Sequence, residues 1–292
     1  DISIDPSSPN TKNTGLPKRI LFNGSSVAET SVTSNNVTAN FSAGVANVTV
    51  EYLDVGNVID LNFVHDDAPY DGSTTPPFSS LSGSVGTFVV KPDSVQIVAD
   101  DTSSACTPLS ASCTLFRKAG LPFSTTARAV CVAPNNVTAP SYRGTVDLEH
   151  QLVLPTPSAG NKGSLAVGTV VFDGTSSIAG EEVEANQKIS EVGVFSIKTK
   201  PRSYFSKSIT AYDSVDIGRF YPHHFDVSVS GGAFDNQCSA TFTYMDQPFK
   251  FGVGHAPEVT ITAENADNDK TLNYEGDFWK LGSNLAQTST CN

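Results

Sequence analysis

Apolar and polar residues alternate along most of this 292-residue chain with the period of two that marks half-buried β-strands. Val48, Val50 and Tyr52 alternate with Asn47, Thr49 and Glu51, and Asp54-Val55-Gly56 then turns the chain into a second strand over 58–63. Two short strands follow over 87–90 and 95–98, on either side of Pro92. The stretch 66–86 before them is rich in Pro, Gly and Ser and reads as loop. The scheme returns over 123–132, 146–154, 165–172 and 189–197, with 155–163 as a turn-rich connection. Only 180–189 is open to two readings, a short helix or a strand paired with its neighbours. Beyond Gly218, strands are expected over 225–229, 240–244 and 259–263.

The pattern repeats at long range. Tyr52-Leu53-Asp54-Val55-Gly56 aligns with Ile189-Ser190-Glu191-Val192-Gly193, and in each copy an acidic residue, Val and Gly sit between two strands. A second mark follows each copy: Gly86-Thr87-Phe88 with Pro92, then Gly218-Arg219-Phe220 with Pro222. The copies lie 137 residues apart, which predicts tandem domains of one fold over 1–90, 91–217 and 218–292. Short strands, frequent turns and almost no helix make that fold an all-β, immunoglobulin-like β-sandwich. The last unit has too few strand signals for a whole sandwich. It is completed by sequence beyond Asn292 or by strands borrowed from the unit before it. An unfinished sandwich exposes a strand edge for pairing with another chain.

Composition narrows the partners. Against 30 Asp and Glu stand 18 Lys and Arg, a formal charge of −12, which argues against nucleic acid and anionic membrane surfaces. No apolar run approaches the ~18 residues of a membrane helix, and a chain opening on Asp1 reads as a processed or excised piece. The five cysteines, Cys106, Cys113, Cys131, Cys238 and Cys291, contain no C-x-x-C, so disulfides in an oxidising compartment are favoured over zinc. Cys106 with Cys113 would staple a short hairpin, and Cys238 with Cys291 would tie the ends of the last segment. Cys131 is then left over, or takes one of the first pair.

Candidate chemistry is sparse. No G-x-S-x-G, P-loop or H-E-x-x-H pattern occurs, so a non-enzymatic role is expected. His223 and His224 are neighbours that a regular strand sends to opposite faces, and one of them with His255 and Asp226 is a weak metal candidate. Lining a domain junction is the better reading of both. Carboxylates at Asp66, Asp67 and Asp71, at Asp100 and Asp101, and over 264–269 are candidates for calcium, although none matches a D-x-D-x-D-G loop. N-x-[ST] occurs at Asn23, Asn36, Asn40, Asn47 and Asn136, as it does by chance in a chain rich in Ser, Thr and Asn. Trp279 is a candidate sugar-stacking platform, with burial in the last unit's core as the favoured alternative.

Gly-Arg-Phe-Tyr-Pro-His-His-Phe at 218–225, Cys238, Phe-Thr-Tyr-Met-Asp-Gln-Pro-Phe at 242–249, Ile-Thr-Ala-Glu-Asn-Ala at 261–266 and Asn-Tyr-Glu-Gly-Asp-Phe-Trp-Lys-Leu at 273–281 occur in order. Together they resemble the C-terminal region of MshQ-like proteins, bacterial surface proteins encoded with the mannose-sensitive haemagglutinin type IV pilus. Lys118-Ala119-Gly120-Leu121-Pro122-Phe123 and Ser190-Glu191-Val192-Gly193 are similar to the same region further upstream. The resemblance implies an exported protein of the cell surface or a pilus-associated fibre, with other surface or pilus subunits as partners. It implies no catalytic or cofactor-binding residue.

Overall fold

The computed structural model describes residues 2–3, 20–27, 39–52, 54–58, 62–65, 81–84, 88–131, 137–200, 202–235, 244–246 and 250–281. The strands that carry the architecture are β1 (Gly56–Val58), β2 (Phe88–Val90), β3 (Ser94–Ala99), β4 (Arg117–Lys118), β5 (Phe123–Val130) and β6 (Gly144–Leu154). They continue with β7 (Thr169–Phe172), β8 (Glu181–Gln187), β9 (Gly193–Thr199), β10 (Ile217–Tyr221), β11 (His224–Val229) and β12 (Val259–Glu264).

Two sheets face each other between Ser94 and Tyr221. One runs β8-β5-β3, all antiparallel, and the other runs β4-β10-β9-β6-β7, antiparallel except for the parallel β4 and β10. The fold is thus an all-β sandwich of two facing sheets. Alternation sets the inward faces. In β6, Val146, Leu148, His150 and Leu152 are buried while Asp147, Glu149 and Gln151 are exposed. These apolar residues join Val95 and Ile97 of β3, Ala127 and Ala129 of β5, and Phe195 and Ile197 of β9 in one core. Phe116, Phe123, Phe195 and Phe220 meet at its centre with ring centroids 5.4–5.7 Å apart, in edge-on or tilted arrangements.

β9 is buried along nearly its whole length because both its faces are covered. Phe195 and Ile197 point into the sandwich, whereas Val192 and Val194 pack outward with Phe278 and the Cys106–Cys113 disulfide. That disulfide spans not a hairpin but the crossover in which the chain leaves β3 in one sheet and reaches β4 in the other.

Several expectations need adjustment. Of the two readings of 180–189 the strand is the one adopted, as β8 over Glu181–Gln187. The expected loop over 66–86 contains a strand, Leu81–Ser84, paired with Asn62–His65, and the rest of that stretch lies outside the described residues. Of the strand expected over 240–244 only Tyr244 is described. Gly218 lies inside β10, and the sandwich closes at Tyr221.

The repeat is structural as well as sequential. β1 pairs with β2, placing Gly56 opposite Val90, as β9 pairs with β10, placing Gly193 opposite Phe220. β2 runs into β3 through Lys91, Pro92 and Asp93, and β10 runs into β11 through Pro222 and His223. β3 then pairs with β5 (Ser94 opposite Val130) as β11 pairs with β12 (His224 opposite Glu264). The described strands on either side of the central sandwich thus match its last two strands and its first two.

Candidate functional site

The two acidic corners of the repeat are where separate parts of the chain meet. Asp54, 3% exposed, uses one carboxylate oxygen to accept the Val55 N–H at 2.8 Å and the Ser141 N–H at 3.0 Å. Its other oxygen accepts the Ser141 hydroxyl at 2.8 Å. Ser141 lies between β5 and β6, so the corner before β1 holds the β5–β6 loop of the sandwich that follows. Beside it, burial and then the charges of Asp54 and Tyr142 push the Tyr204 hydroxyl up to about 12.

Glu191 does the same one repeat later. Its Oε1 accepts the Val192 N–H at 2.8 Å and the Asn273 N–H at 3.2 Å, and its Oε2 accepts the Leu272 N–H at 2.9 Å. Burial raises the Glu191 pKa, opposed by these three backbone donors. Asn273 answers from the other side: its Nδ2 donates to Val192 O at 2.8 Å and Asn161 O at 2.6 Å, and its Oδ1 accepts the Asn161 N–H at 2.7 Å. Asn265 adds a bond from Nδ2 to Ser190 O at 3.1 Å, while its Oδ1 accepts the N–H groups of Asp267 and Asp269. Each buried polar atom in this constellation therefore has a partner.

Two glycines let the pieces approach. Gly193 has φ +144°, and a Cβ there would lie 2.5 Å from Leu154 O. Gly120 has φ +81°, and a Cβ there would lie 2.9 Å from the Ala266 nitrogen, whose N–H donates to Ala119 O at 3.0 Å. Between the sandwich and the segment that follows is an apolar cavity of about 180 Å³, lined by Leu115, Val192, Phe220, Phe225, Tyr274 and Phe278 among others.

The other candidates are placed as follows. Cys106 and Cys113 are bonded, with Cα atoms 5.4 Å apart. Cys131 is half-buried at the end of β5, and Cys238 and Cys291 lie outside the described residues. Trp279 is 59% exposed and Phe278 only 5%, so the buried aromatic of the last segment is Phe278 and not the favoured Trp279. The 3₁₀ turn Gly276–Phe278 turns Phe278 inward and leaves Trp279 just beyond it. His223 and His224 are not on opposite faces: their Nδ1 atoms lie 3.0 Å apart, His223 N–H donates to Glu264 O at 2.8 Å, and His224 stands opposite Glu264 in the β11–β12 ladder. His224 Nε2 lies 3.1 Å from the Glu264 carboxylate.

Asp100 accepts the hydroxyls of Ser124 and Thr126, and Asp101 accepts the Ser103 N–H and hydroxyl and lies 3.6 Å from Arg117. Asp66, Asp67 and Asp71 lie outside the described residues. Among the described residues no three His, Cys, Asp or Glu side chains converge as metal ligands, and no helix is long and apolar enough to cross a membrane.

Sequence reading marked both acidic corners but not their use. Ser141 carried no signal, and Asn273 stood out only as part of a signature. The clue was the spacing: the acidic-Val-Gly corner and the loop it grips, 87 and 82 residues on, recur together.

Comparison with known proteins finds family matches over the part of the chain that holds Ser141, Glu191 and Asn273. Residues 91–185 match the second domain of DUF6701 and residues 191–292 match its third domain. No curated protein and no solved structure matches the chain. The second family domain ends inside β8 and the third begins at Glu191, so the third family domain includes β9 and β10 of the sandwich. Over these residues the chain belongs to the DUF6701 family and carries its second and third domains.

Proposed function

We propose that this chain is a non-enzymatic, structural part of a bacterial extracellular assembly, a surface stalk or a pilus-associated or filamentous element that supports adhesion. In this reading the chain is a row of tandem immunoglobulin-like sandwiches, the first ending near Val90, the second running to Tyr221 and the third opening at His224. The observation that carries it is the repeated corner, in which Asp54 and Glu191 each hold backbone N–H groups of the segment that follows. Carboxylates spent on backbone donors, and strands joined through two or three residues, suit a load-bearing chain rather than a reacting centre. The Cys106–Cys113 disulfide favours an oxidising compartment outside the cytoplasm. The likeness of 218–281 to MshQ-like proteins favours the cell surface or a pilus, with other surface subunits or further copies as partners.

Small-angle scattering on the chain and on Asp54→Ala/Glu191→Ala tests this reading. A load-bearing row predicts a narrow distribution of dimensions that broadens when both carboxylates are removed. An unchanged profile overturns it.

A second reading, a glycan- or surface-ligand-binding module, rests on Trp279, which stands 59% exposed beside the apolar cavity residues Phe278 and Lys280. It predicts a shift of Trp279 fluorescence on titration with the bound sugar, and a flat titration across a glycan panel removes it.

A further inference from the structure

β11 presents an open edge. Ser230 N–H donates to Glu258 O at 2.9 Å, and His224, Asp226 and Ser228 stand opposite Glu264, Thr262 and Thr260. The even-numbered residues therefore direct their backbone groups to β12, and Phe225, Val227 and Val229 direct theirs the other way. Among the described residues nothing pairs with that side of β11. The equivalent strand of the central sandwich is different: Ser94 of β3 bridges Thr210, and Thr210 N–H donates to Asp93 O at 3.0 Å.

Edge strands that stay solitary usually carry Pro, Lys or a bulge that blocks pairing. His-Phe-Asp-Val-Ser-Val over β11 has no Pro, Lys or Arg. Its outward-facing residues are also apolar on one face, with Phe225, Val227 and Val229 exposed by 37%, 57% and 62%. At the positions matching Phe225 and Val227, the central sandwich has Val95 and Ile97, which are 1% and 0% exposed.

We propose that β11 pairs edge to edge with β11 of a second copy of this chain, antiparallel and with Val227 on the two-fold axis. The strand is self-complementary in that register. Asp226 falls opposite Ser228 of the second copy and His224 opposite its Ser230, so no like charges meet across the seam. Phe225 falls beside the second copy's Val229, and the two apolar half-faces become one. The ladder is closed by the N–H and C=O groups of Phe225, Val227 and Val229 from both chains. A two-fold contact of this kind is isologous and stops at a dimer. This deepens the reading of the chain as part of a surface assembly by naming the strand and the partner.

Sedimentation of the 292-residue chain over a wide concentration range, with hydrogen exchange at both ends of that range, tests the pairing. Dimers are expected, together with amide protection of Phe225, Val227 and Val229 that grows with concentration. Val227→Pro removes only an outward N–H, leaves the ladder to β12 in place, and is expected to raise the dimer dissociation constant at least tenfold. Val259→Lys changes the apolar face at β12, away from the seam, and is expected to leave the dimer within about threefold. Circular dichroism confirms that each variant keeps its strand content, and the exchange readout needs no variant at all. A monomer at every concentration overturns the pairing. So does a dimer that Val259→Lys abolishes and Val227→Pro does not, since that pattern means face-to-face packing. Neither result bears on the coupling by Asp54 and Glu191, which scattering tests separately.

Discussion

Glu191 and Asn273 hold the Val192 backbone from opposite ends. Glu191 Oε1 accepts the Val192 N–H at 2.8 Å, and Asn273 Nδ2 donates to the Val192 carbonyl at 2.8 Å. Two residues 82 positions apart thus clamp one buried residue, and Glu191 also binds the Asn273 N–H directly. Glu191→Ala leaves three backbone donors without their acceptor, and each buried one costs about 1–3 kcal/mol. A loss of roughly 3 kcal/mol is expected for Glu191→Ala, with a similar loss for Asn273→Ala. The double variant should lose well under the sum, since both act on one clamp. Denaturant titration of the four proteins measures the coupling.

Asp54 predicts a milder version of the same effect. Asp54→Asn retains an acceptor for one set of bonds and turns an amide toward the other, while Ser141→Ala removes only the hydroxyl. Expected losses are about 2 and about 1 kcal/mol. They should appear as faster exchange of the Val55 and Ser141 amides before any change around Glu191.

Two buried titrating groups, His150 and Glu191, work in opposite directions. Burial lowers the His150 pKa below its ordinary 6.5, against a hydrogen bond to Lys162 O at 2.7 Å. The unfolded chain therefore takes up a proton that the folded chain refuses. His150 stability is complete above about 6.5 and is lost as pH falls below it, by at most about 1.4 kcal/mol per unit. Glu191, raised by burial, binds its proton more readily when folded, so its contribution is greatest at low pH and declines as pH rises through the folded value. Melting temperatures across pH 4–8 for wild type and His150→Gln should separate the two, with the fall below 6.5 flattened in the variant.

The Cys106–Cys113 bond closes a short loop, for which chain entropy gives about 2.5 kcal/mol. Its sulfurs also pack on Val194 and Phe278. Cys106→Ser/Cys113→Ser is expected to destabilise by about that amount. It should also raise proteolysis near Phe278 more than within β5 or β6.

Trp279 offers an optical check on the last segment. At 59% exposure its indole should emit as a solvated ring and be quenched efficiently by acrylamide. A blue-shifted, protected emission would mean that the ring is covered in solution.

Strand content and the sandwich were legible because period-two alternation is a local signal: Val146, Leu148 and Leu152 announce their face without reference to the rest of the chain. The ambiguity at 180–189 had a physical origin. Glu181, Glu182, Glu184 and Asn186 place little apolar weight on either face, so only pairing with β5 decides the structure. The acidic-Val-Gly repeat was equally visible, but the use of its carboxylates was not, because the backbone N–H donors they accept from lie 82 and 87 positions away. Trp279 and Phe278 show the limit in miniature. Both are large aromatics in one turn, and the cavity wall built by Val192 and Tyr274 selects which of them is buried.

Pro222 and His223 are all that separates β10 from β11. A pull on the far end of the chain reaches the sandwich with almost no slack to take up. Under such tension the bonds at Glu191 and Asn273 share the force with the β9–β10 ladder, instead of waiting for a linker to straighten. The joint then behaves as a stiff coupling whose resistance is divided among Glu191, Asn273 and Asn265.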